Sequence, residues 1–148
     1  RIAALLVLVA AFAYPALRAT VPGGTEGTPT AYAAKYETEA WSPERVAELT
    51  AEGRPVFVDF TATWCATCQL NKLSTLKTTA VQEAFADANV AFLVADFTRK
   101  DPVIAAELKL RERAGVPMYL WYPAGATEPV ILPEILSKDL VIGLLDAP

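Results

Sequence analysis

The sequence contains no histidine. That absence removes Ser-His-Asp and Cys-His nucleophilic catalysis, and the His-containing zinc sites with them. Cysteine is nearly absent too. Cys65 and Cys68 are the only two in 148 residues, too few to close a four-thiolate zinc site within one chain. The single methionine is Met118 and the first residue is Arg1, so the chain reads as a fragment or a processed product. Lys and Arg never form a dense run, and the formal net charge is −4. Phosphate binding needs clustered cations, so nucleic acid is not an expected partner.

What is plentiful is apolar side chain. The chain is 53% hydrophobic and 20% charged, and the excess has a location, because residues 2–17 carry no charge. This run is shorter than the roughly 20 residues that span a bilayer. Tyr14 near its end and Arg18 just beyond suit an interfacial boundary. Residues 1–18 therefore read as the end of a transmembrane helix. The alternatives are the hydrophobic region of a signal peptide, with residues 17–19 as an imperfect cleavage site, or a buried helix. The first two place the downstream domain across a membrane from the cytosol. Residues 19–40 hold Pro22, Gly23, Gly24, Gly27 and Pro29 without periodic apolar positions, and read as a flexible linker.

A globular domain is expected over residues 41–148. Ser42 is a good N-cap with Pro43 at the first helical position, and Gly53 a stop, which predicts a helix over 43–52. Residues 56–61, Val-Phe-Val-Asp-Phe-Thr, are apolar enough for a central strand covered on both faces. A helix over 65–77 follows, then one over 80–88, for which Thr79 and Gln82 suggest a capping box. Residues 90–97 read as a strand. Asp101 and Pro102 open a helix to about residue 113 with Gly115 as its stop, then come a strand at 118–122, a turn at 123–125, and a paired strand at 130–132. Ser137 caps a last helix to about residue 145. The expected fold class is α/β, a mixed four-stranded sheet flanked by helices. Such a domain can bury a core without structural disulfides, leaving both cysteines available for chemistry.

The cysteine spacing carries that chemistry. A Cys-x-x-Cys pair opening a helix puts the first sulfur where unpaired N–H groups and the helix dipole favour a thiolate. The second sulfur lies about one turn on, close enough to close a small disulfide ring. Cysteines so placed can have pKa values lowered to roughly 3.5–7.5. Cys65 would attack a partner disulfide and Cys68 would resolve the mixed disulfide, with Trp64 shielding one side. The bland alternatives are a stapling disulfide, two inert thiols, or half of a metal site completed by another chain.

Residues 58–68, Val-Asp-Phe-Thr-Ala-Thr-Trp-Cys-Ala-Thr-Cys, resemble the thioredoxin superfamily, and Gly115-Val116-Pro117 before a strand resembles its cis-proline loop. The resemblance covers roughly residues 41–148. Residues 57–69, 95–102, 115–119 and 128–134 are further similar to the C-terminal periplasmic domain of the DsbD-type thiol:disulfide interchange proteins, including their ScsB-like relatives. The resemblance implies a thioredoxin-like fold with two further roles. Asp59 would be the buried acid that takes and returns the proton of Cys68, with its pKa raised by burial; otherwise it ends a strand or pairs with a lysine. Pro117 would be cis, placing the Val116 backbone to dock a partner's extended segment; otherwise it is a trans proline opening a strand. Two features depart from the family patterns. The intervening dipeptide is Ala66-Thr67, and Lys72 stands where some DsbD-type domains carry an acid.

The expected function is a membrane-tethered extracytoplasmic thiol:disulfide reductase of the bacterial inner membrane, its thioredoxin-like domain in the periplasm. It would pass electrons from an upstream transmembrane domain to periplasmic thioredoxin-like or substrate disulfide proteins. The alternative is a free secreted or periplasmic thioredoxin-like oxidase, isomerase or cytochrome-maturation protein. No cofactor or metal is expected beyond the redox-active Cys65–Cys68 pair.

Overall fold

The computed structural model of the chain describes residues 37–146. The apolar run at 2–17 and most of the linker stretch lie outside the described residues. Five strands form one mixed sheet in the order β1-β3-β2-β4-β5. They are β1 (Thr38–Ala40), β2 (Val56–Thr61), β3 (Ala91–Asp96), β4 (Met118–Tyr122) and β5 (Val130–Ile131). β2 is central, parallel to β3 and antiparallel to β4.

Every residue of β2 is buried, and the two-residue pleat sorts its side chains between two cores. Val56, Val58 and Phe60 join one core with Val46 and Leu49 of helix α1 (Pro43–Ala51) and Ile104 and Leu108 of α4 (Pro102–Leu110). Phe57 enters the other with Val81 and Phe85 of α3 (Thr79–Asp87) and Val141 of α5 (Lys138–Gly143). There its ring lies 5.2 Å from Phe85 and 6.1 Å from Tyr119. Asp59 shares the face of Phe57, so this strand delivers a carboxylate to an apolar side of the sheet.

The sheet has five strands rather than four because the last residues of the stretch read as linker form β1. This edge strand pairs parallel to β3 and has no apolar alternation to betray it. Backbone pairing holds it, with Trp41 N–H donating to Val94 O at 3.0 Å and Glu39 paired to Arg45 at 2.8 Å.

Helix ends also differ from the pattern reading. α4 stops at Leu110, and the left-handed residue after it is Glu112 at φ 57°, not Gly115. Arg113 N–H then reaches back to Leu108 O at 2.8 Å, a Schellman closure. Gly53 and Asn89 close α1 and α3 the same way. The N-cap of α3 is Thr78 rather than Thr79. β5 contains two residues, with Leu132 N–H still donating to Tyr119 O at 3.0 Å.

Helix α2 (Ala66–Asn71) passes into a π-turn at Lys72–Leu76 instead of continuing as α-helix to residue 77. Lys77 N–H donates five residues back to Lys72 O at 2.8 Å, the signature of a π-turn. Contacts remote in sequence hold this break. Thr75 Oγ1 donates to Leu136 O at 3.1 Å, and Asn71 Nδ2 donates to Glu134 O at 2.7 Å. Among the described residues, no helix is long and apolar enough to cross a membrane.

Candidate functional site

β2 ends at Thr61, and five residues later the chain enters α2. Cys65 is the N-cap of that helix rather than its first residue, and its Sγ accepts a hydrogen bond from Cys68 N–H at 3.1 Å. Cys65 and Cys68 form a disulfide. Both sulfurs belong to a small buried cluster with Ala62, against which Val116 packs. Cys65 is 7% exposed and Cys68 fully buried, so Cys65 is the more accessible of the two. The Val116–Pro117 peptide bond is cis, and Pro117 is buried at the entrance to β4.

Trp64 is 54% exposed beside the disulfide. Its indole N–H donates to Thr98 O at 3.2 Å, and its ring meets Phe97 edge-on at 6.5 Å. Thr98 also accepts from Thr63 N–H through Oγ1 at 3.0 Å. Both its backbone N–H and its hydroxyl donate to Asp96; these bonds hold the Asp96 carboxyl below its ordinary range. The 3₁₀ turn after β3, Phe97–Arg99, thus fastens the loop that carries Trp64. Gln69 Nε2 donates to Ala62 O at 3.0 Å, fixing the loop from the other side.

Asp59 lies in a groove of about 430 Å³ that Gln69, Lys72, Lys77 and Gln82 also line. Its side chain is buried, and neither carboxylate oxygen has a hydrogen-bond partner, so no hydrogen bond joins it to either cysteine. Lys72 Nζ stands 3.7 Å from Oδ2. Burial pushes the carboxyl up from 3.8 to about 6, and the Lys72 ammonium pulls the other way. Tyr119 faces Asp59 across the β2–β4 ladder. Its phenol is pushed up to about 12, first by burial and also by the Asp59 charge, against a hydrogen bond from Asn71.

Sequence reasoning singled out the cysteines, Trp64, Asp59, Val116 and Pro117, and the structure gathers the sulfurs with Val116. It did not find Thr98 or Asn71, whose partners lie 34 and 48 residues away in the chain. The Lys72 pairing had one available signal: a lysine seven residues after the first cysteine and four after the second lies on the helix face of both sulfurs. No group of three or more candidate metal ligands occurs among the described residues.

A thioredoxin-like family profile matches residues 37–124. The chain belongs to the thioredoxin-like family. It is 38% identical over 81 residues to the thiol:disulfide interchange protein DsbD of Ralstonia nicotianae, an alignment covering 55% of this chain and 13% of that protein. The match thus spans a small part of that relative's length. Among solved structures, the oxidised C-terminal domain of Neisseria meningitidis DsbD is similar at 25% identity and TM-score 0.56, covering 74% of this chain and 97% of that one. Its reduced form is 26% identical with a TM-score of 0.53, covering 68% and 87%. A Thermus thermophilus thioredoxin, 20% identical with a TM-score of 0.59 over 74% and 84% of the two chains, shares the fold. A disulfide at a helix N-terminus within this fold supports thiol:disulfide oxidoreductase activity.

Proposed function

We propose that the chain is the extracytoplasmic, membrane-tethered end of a thiol:disulfide reductase. The observation that carries this reading is the N-cap geometry of Cys65, whose sulfur already accepts the Cys68 N–H. In the reduced state the same N–H and the helix dipole favour the Cys65 thiolate. That thiolate attacks a partner disulfide: a Cys65–partner bond forms, the partner S–S bond breaks, and one partner thiolate leaves. Cys68 then loses its proton to Asp59 and attacks Cys65, closing the ring and releasing the second partner thiolate. Two electrons have passed to the partner. Val116, beside the cis-Pro117 bond, would dock the partner's extended segment by its backbone, and Trp64 would wall the site.

Residues 1–18 would be the membrane anchor and 19–36 the tether in this reading. The upstream electron donor would be a transmembrane domain of a bacterial inner membrane, and the clients would be periplasmic thioredoxin-like or substrate disulfide proteins. The likeness to DsbD supports this direction of flow. Equilibration of Cys65–Cys68 with glutathione tests it. The expected potential is near thioredoxin's, about −270 mV, whereas a value near about −120 mV would make the protein an oxidant and overturn the reductase reading.

A further inference from the structure

We infer that Lys72 is a positioning residue for this exchange, its ammonium holding Asp59 in the charged form that accepts a proton. The inference rests on the exchange reading above and adds a residue to it. The geometry has three parts. First, Asp59 is buried without a single hydrogen-bond donor on either oxygen, an arrangement that leaves a carboxylate dependent on a nearby cation. Second, Lys72 is the one cation within ion-pair distance of it among the described residues. Third, the backbone that carries Lys72 is anchored by the residue just before it. The neighbouring Asn71 side chain donates to Tyr119 OH at 2.9 Å and to Glu134 O at 2.7 Å, and accepts from Leu136 N–H at 3.2 Å.

The other groups around Asp59 do not replace this partner. From β4, Tyr119 is a phenol that stays neutral through the working range. From the end of the π-turn, Lys77 lines the same groove but makes no ion pair with Asp59. Asp96, at the end of β3, lies in the field of Lys72 as well, but it is exposed and bound by Thr98. α3 contributes Gln82, which is uncharged. The Lys72 side chain is 22% exposed, so its ammonium keeps water contact while facing the carboxylate. An acid at position 72 would push Asp59 toward its neutral form; a lysine does the reverse.

The test is carboxyl NMR titration of Asp59 in the oxidised full chain, from pH 4 to 9, in wild type, Lys72→Met and Lys72→Arg. The wild-type midpoint is expected near 6. Lys72→Met is expected to raise it by about one pH unit or more, and Lys72→Arg to leave it near wild type. Exchange by the methionine variant should then fall about threefold at pH 6.5 and recover by about pH 8.5. An unmoved midpoint in Lys72→Met, or an equal rise in Lys72→Arg, would overturn the inference. Exchange that persists in Cys65→Ser would instead overturn the proposed function, and the titration, which needs no turnover, separates the two failures.

Discussion

Asp59 is a carboxylate that folding tolerates rather than welcomes. Its native pKa, about 6, lies above the ordinary 3.8 because burial outweighs the attraction of Lys72. The native state therefore binds this proton more tightly than the unfolded chain does. The resulting stabilisation is complete below about pH 4 and is lost as the pH rises through 6. Above that, the ionised buried acid costs on the order of 3 kcal/mol. Asp59→Asn is expected to raise urea stability at pH 8 by up to about this much, with the gain gone at pH 4. Equal stability at both pH values would show that Asp59 is not strained by its charge. At this scale the sequence was legible where chemistry is local: the cysteine pair announces itself by spacing. The Asn71 bonds and the Thr98 clamp were not, since each joins elements that only the fold brings together, and the Lys72–Asp59 pair was legible only as the alternative that Asp59 pairs with a lysine.

Elements were readable where one signal dominates. β2 and β4 occupy the expected residues because continuous apolar runs between turn signals specify buried strands. Ser42 and Ser137 cap α1 and α5 through their hydroxyls, accepting from Arg45 and Leu140 N–H. The misreadings share a cause. β1 is polar and held by its backbone, the π-turn by Thr75 and Asn71 bonding to the 134–136 segment, and α4 ends on a residue without turn chemistry. That last case yields a prediction. Glu112 holds φ 57°, a conformation that costs an ordinary L-residue about 1 kcal/mol. Glu112→Gly should stabilise the domain by about 0.5–1 kcal/mol in urea denaturation at neutral pH. A loss of stability would mean that the Glu112 side chain contributes more than its backbone costs.

At the scale of the molecule, the sheet separates two tasks. One face, covered by α1 and α4, is packed with aliphatic side chains and the Trp41–Phe60 ring pair, 5.0 Å apart. The other carries α2, the buried acid and the groove that reaches it. Strand β2 links Asp59, which lies within it, to the cysteine loop that leaves its end. The α/β class and the thioredoxin-like family were legible from two motifs in order, while the fifth strand was not. What the fold does with its disulfide rests on an asymmetry: Cys65 keeps 7% exposure and Cys68 none. Trapping measures that asymmetry most directly. Reduced Cys68→Ser protein mixed with insulin should accumulate a mixed disulfide through Cys65, seen by non-reducing mass spectrometry, while reduced Cys65→Ser should accumulate little or none. Mixed disulfides of equal yield in the two variants, or none in Cys68→Ser, would contradict the account.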